Sequence, residues 1–154
     1  MTNETAAVAA VDLSAFMSSD VGVLDVVHPA TGAPIGWKIT FAGPSHPKTE
    51  ALSNEKARDA LRRARQVEMA RANGKKFKPE EQTVEDLQRE NVHWVVARIV
   101  DWTPVKLGAD ADVITFSEKA AMDLFMKPEL GWAYAQALEF LAAEASFMKA
   151  SAKI

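Results

Sequence analysis

The sequence predicts an α+β fold, predominantly α-helical, with two small β-hairpins. Three observations lead there. Trp37, Ile39 and Phe41 alternate with Lys38 and Thr40, the period-two pattern of a half-buried strand, shortly after another apolar run at residues 21–27. Later segments open on a capping residue and continue with apolar positions three or four apart, which is the spacing of an amphipathic helix. Near the middle of the second half, "WTPVKLGADADVITF" sets two short apolar runs around a Gly-Ala-Asp turn. A chain of 154 residues, 48% hydrophobic and 25% charged, is sufficient for one domain with a buried core.

Taken in order, residues 1–20 read as a mobile arm with one short helical turn near Leu13–Met17, and residues 21–154 as the single domain. The first hairpin joins "VGVLDVVHP" to "IGWKITFAG" through "ATGAP", where proline fixes φ and glycine permits a turn. A helix over residues 45–73 follows, with Ser45 as N-cap, Pro47 in the first turn and Gly74 as the stop. Its apolar stripe, Leu52, Ala57, Leu61, Ala64 and Val67, is narrow and alanine-rich, so the helix is expected to be weakly held, and either exposed or awaiting a partner. After the polar linker "KKFKPEEQ", Thr83 caps a second helix with Asp86 as the capping-box acid. Val84, Leu87, Asn91, Trp94, Val95, Ile99 and Trp102 read as its bulky face. The second hairpin is expected near Val105–Leu107 and Val113–Phe116. Ser117 then caps a short helix to Met126, and Pro128 opens a last helix. Tyr134, Leu138, Leu141, Ala145 and Met148 form one side of it, widened by Trp132, Phe140 and Phe147.

The residues offer little catalytic chemistry. There is no cysteine, which removes disulfides and thiol nucleophiles, and no serine stands in a nucleophile-elbow or Ser-x-x-Lys setting. His28, His46 and His93 lack the i, i+4 spacing of a helical metal site, and Asp25 is the one carboxylate near the first two. Glu80–Glu81 and Asp110/Asp112 fall in linker and turn, and no glycine-rich phosphate cradle exists. The expectation is a protein that is not an enzyme, with no catalytic residue, cofactor or metal. The apolar N-terminal patch has no basic residue before it and follows Glu4, which argues against a secretory leader, and no apolar run has the length of a membrane span.

Charge is distributed unevenly. Residues 45–78 hold ten Lys/Arg against four acids, a local +6 in a chain whose net charge is −3. The plain reading is a solvated helix face; the functional readings are an acidic protein partner or nucleic acid. Phe77 alone interrupts the basic run with an aromatic ring, which argues against stacking on single strands. Trp94, Trp102, Phe116, Phe125, Trp132, Phe140 and Phe147 suit a core, with an apolar surplus on the last helix available to a partner.

The order of motifs resembles the tail assembly chaperones of long-tailed bacteriophages and prophages. The match runs from a helix leading to Trp102, through a short β excursion, to Phe116 before the Ser117–Glu118 cap of "FSEKAAMDLF". Pro128, Trp132 and Phe147 complete it, and "HPATGAPIGWKITFAGPSHP" looks like the opening β element of that family. The resemblance implies a non-enzymatic protein of the bacterial host cytoplasm. Such a protein holds the long helical tape-measure protein in solution, helps recruit tail-tube subunits, and is usually absent from the finished virion. On that reading Phe140, Phe147 and Met148 would meet apolar helical stretches of the tape measure. Arg62, Arg63 and Arg65 would meet acidic stretches of the same partner or of a neighbouring copy, and self-association is compatible. Two alternatives remain open: a minor structural or connector protein kept in the virion, and a small nucleic-acid-binding protein using the basic helix at 48–78.

Overall fold

The structure, a computed structural model, describes residues 9–78 and 81–148. Strands β1 (Val21–Val27) and β2 (Pro34–Ala42) form the expected hairpin, with Leu24 opposite Ile39 and Val23 opposite Thr40. Trp37, Ile39 and Phe41 are buried, as their alternation predicts. At the turn, His28 Nδ1 accepts from the Ala30 amide at 3.0 Å. The register shifts between Asp25 and Val27, and the extra β2 residues include Gly36, whose φ of +90° suits glycine.

The third strand is where sequence and structure part. The second helix ends at Val96, and β3 (Ile99–Trp102) pairs antiparallel with the free edge of β2, giving the order β1-β2-β3. Ile99 and Trp102 stand three apart, which mimics helical spacing. A strand would normally turn such residues to opposite faces. Here Ile99 pairs with Phe41 and Asp101 with Thr40, so the register shift accommodates an extra β3 residue, and both Ile99 and Trp102 point inward. The second expected hairpin closes through a single bridge, Val105 with Ile114, whose amide–carbonyl distances are 3.1 and 2.6 Å.

Helix α1 (Pro47–Ala72) runs 26 residues. Its cap is His46 rather than Ser45: the imidazole Nδ1 accepts from the Lys48 amide at 3.0 Å, while the Ser45 hydroxyl donates to Asp20. At its far end Gly74, at φ +66°, donates to Arg71 and Lys75 donates to Ala70, a Schellman stop that satisfies the last carbonyls. Helix α2 (Val84–Val96) begins with the predicted capping box: Asp86 N–H donates to Thr83 Oγ1 at 3.1 Å and Thr83 N–H to Asp86 Oδ2 at 3.3 Å. Thr83→Ala is expected to cost about 1 kcal/mol, read as a lower urea midpoint at unchanged slope. No change in midpoint would mean that α2 is held by packing alone.

Ser117 caps α3 (Glu118–Phe125), its Oγ accepting from Ala120 N–H at 3.0 Å. A 3₁₀ turn at Pro128–Leu130 leads into α4 (Gly131–Ala142). That helix is shorter than its apolar run suggests. The chain bends at Ala143, and a further 3₁₀ turn, Glu144–Phe147, brings Phe147 back over the sheet. Within α4, Gln136 turns its amide to the β1 edge: Oε1 accepts from Val27 N–H at 3.0 Å and Nε2 donates to Val27 C=O at 2.8 Å.

The architecture is therefore α+β with helix dominant. The core lies between the inner sheet face and α2, α3 and α4. Phe125 stacks on Trp37 with centroids 5.9 Å apart, and Phe140 meets Phe41 at 5.5 Å. Val92, Val95 and Val96 are the buried face of α2, whereas Val84 and Leu87, expected there, are exposed. The first turn of α2 projects beyond the layer it packs on.

Candidate functional site

Helix α1 is attached by its first half. Thr49 Oγ1 donates to Gly43 C=O at 2.7 Å, Lys48 Nζ donates to Ile99 C=O at 2.8 Å, and Leu52 is its buried residue. Alongside α2 the contacts are polar: Glu55 with His93 at 3.3 Å, Lys56 over the Trp94 ring at 4.9 Å, and Arg63 with Glu90 at 3.8 Å. Each leaves both partners partly in water, so each contributes a fraction of a kcal/mol, about 0.2–1. Beyond Arg63 no tertiary ion pair or hydrogen bond among the described residues holds the helix.

The expected arginines differ in their surroundings. Arg62 pairs with Asp59 of the same helix at 3.0 Å, and Arg63 with Glu90. Arg65 is exposed, with no ion pair among the described residues, as are Arg58 and Arg71. Leu61, 60% exposed, lies outward among Ala57, Ala60, Ala64 and Val67. The weak stripe read from sequence is thus an exposed one.

The C-terminal aromatics are placed otherwise than expected. Phe147 is 4% exposed, inside the core, with Phe140 at 5.4 Å and the Arg98 guanidinium 5.2 Å from its ring centroid. Phe140 is half-buried between Phe41 and Phe147. Neither offers a partner the open apolar face that a continuous helix would have displayed, because the bend at Ala143 folds that face onto β1 and β2. Met148 keeps part of its surface and bridges to Ser18. Burial lowers the Arg98 pKa from its ordinary value, and Nε and Nη2 compensate by donating to Ala42 C=O at 3.2 and 2.7 Å.

An apolar groove of about 340 Å³, absent from the sequence reading, lies between the turn end of β2, the loop after β3 and the start of α4. Ile35, Trp37, Pro104, Leu107, Leu130 and Trp132 line it. Four separate segments build it, Leu124 of α3 included, so no local pattern reveals it beyond Trp132, whose indole N–H donates to Glu129 C=O at 3.1 Å. Ile35 and Leu107 are 47% and 55% exposed at its rim.

Each histidine has a structural partner: His28 in the hairpin turn, His46 at the α1 cap, and His93 against Glu55 of α1. Among the described residues no three His, Asp or Glu side chains gather as a metal-binding set, and no helix is long and apolar enough to cross a membrane. No family model, curated protein or solved structure matches this chain.

Proposed function

We propose that this protein is a non-enzymatic tail assembly chaperone of a long-tailed phage, working in the bacterial host cytoplasm. It holds the tape-measure protein in solution and helps bring tail-tube subunits to it. The observation that supports the reading most is α1: a 26-residue helix with one buried residue, whose second half presents basic side chains and an apolar stripe to solvent. A helix so exposed gains little from its own fold and is suited to contact another chain. The groove beside Trp132 supplies a second, apolar contact for aliphatic side chains of the same client.

The experiment is a pull-down of the tagged chain from cells assembling tails. Recovery of a very long helical protein, with little of this chain in finished particles, is the expected result. Recovery of nucleic acid alone, or stable incorporation into the virion, would overturn it. Reversing Arg62, Arg63 and Arg65 to glutamate is expected to weaken client binding about tenfold or more. The thermal midpoint should move little, since the ion pairs of Arg62 and Arg63 leave both arginines about two-thirds exposed (68% and 65%). A large fall in the thermal midpoint would assign these arginines to the fold instead.

A further inference from the structure

The segment before β1 is the most exposed apolar stretch of the described chain. Val11, Leu13, Phe16 and Met17 are 71%, 67%, 60% and 61% exposed, around a 3₁₀ turn at Leu13–Phe16. Asp12 caps that turn, its carboxylate accepting from Ser14 N–H at 3.0 Å. No Lys or Arg occurs before Lys38, so this stretch is purely acidic in its charges. Its root is fixed: Ser19 N–H donates to Phe147 C=O at 2.6 Å and Gly43 N–H to Asp20 C=O at 2.6 Å. Ser45, two residues before α1 begins, donates to Asp20 Oδ1 at 3.1 Å.

Helix α1 has the complementary surface. Ala57, Ala60, Leu61, Ala64 and Val67 recur at helical spacing and are all exposed, flanked by Arg58 and Arg65, which form no ion pair among the described residues. Within one molecule both surfaces are open to water at once. We propose that the N-terminal arm of a second copy of this chain covers this stripe, with Leu13 and Phe16 on the alanines and Asp12 facing Arg58 and Arg65. The arm and α1 spring from adjacent points of the body, so a twofold axis lets two copies exchange arms reciprocally and bury both stripes in one closed dimer. The lengths are compatible: residues 11–17, with Leu13–Phe16 in a 3₁₀ turn, span roughly 16 Å, and Ala57 to Val67 rises about 15 Å along the helix. Small side chains on the stripe permit close approach, and opposite charges fix the register. Arg62, one turn from Arg58 on the same side of the helix, and Arg63 stay outside this contact and open to a client, whereas Arg65 is taken up by the arm.

The contact is independent of what the client is. The test is sedimentation velocity on the intact protein at about 50 μM, a concentration that populates a dimer of ordinary micromolar affinity. The wild type is expected to sediment as a dimer that weakens as salt rises. Leu13→Asp with Phe16→Asp should weaken association about tenfold or more, as should Arg58→Glu with Arg65→Glu. Circular dichroism should be unchanged in both, since all four residues are exposed. Adding Asp12→Lys to the double arginine variant should restore the dimer. A monomeric wild type, or a dimer indifferent to the arm substitutions, overturns the arm exchange. A monomer that still recovered the tape-measure protein would sink the arm exchange alone and leave the functional reading standing.

Discussion

Phe41→Ala is expected to remove about 3–5 kcal/mol of folding stability, much of what a domain of this size possesses. Phe41 is fully buried on the central strand, with β1 on one side and β3 on the other. Its ring meets Phe140, which in turn holds Phe147 against the sheet. Collapse around the lost ring is restricted, because the neighbours belong to a strand ladder and to a helix that cannot both move inward. The cost thus includes a cavity as well as lost apolar burial. Equilibrium denaturation in urea measures it, and a loss below about 1 kcal/mol would show that the sheet does not centre the core.

Gly43→Ala should also be severe, for a different reason. A Cβ there would collide with the carbonyl oxygen of Ser19 and come within 3.0 Å of that of Asp20. Both are backbone atoms, held by the bond from Gly43 N–H to Asp20 C=O and from Ser19 N–H to Phe147 C=O. Relief requires the arm root to leave the sheet, which then loosens the C-terminal turn. The expected loss is about 1–3 kcal/mol, with new protease cleavage around residues 17–20. Unchanged proteolysis would show that the arm root bends away without breaking its bonds.

Legibility in the sequence followed the range of the interaction. The first hairpin, the Thr83–Asp86 box, the Ser117 cap and the Gly74 stop were readable because each is decided within a few residues. The cap of α1 lies one residue beyond the serine that local preference favours, since the His46 imidazole accepts the bond that a serine hydroxyl more often takes. Strand β3 was hidden because a register shift gives Ile99 and Trp102 the spacing of a helix face. From sequence Phe147 suits either the core or a partner contact on a continuous last helix, because nothing local announces that the chain turns at Ala143. Its burial depends on a sheet more than a hundred residues earlier in sequence. The charged helix was legible as weakly anchored, but which of its arginines are free depended on Asp59 and Glu90, the second on another helix. The groove combines four segments and leaves no periodic trace.

The Gln136 amide has a consequence for how this molecule can assemble. By accepting from and donating to the backbone of Val27, it does what one residue of a neighbouring strand would do. At the opposite end of the same strand, Ser18 and Ser19 are already engaged with Met148 and Phe147. On the far side of the sheet, Lys48 occupies the Ile99 carbonyl. Growth by strand addition, the usual route from an open sheet to a fibre, is therefore obstructed at both borders. Association through the exposed stripe of α1 and the arm is then separated from polymerisation through the sheet.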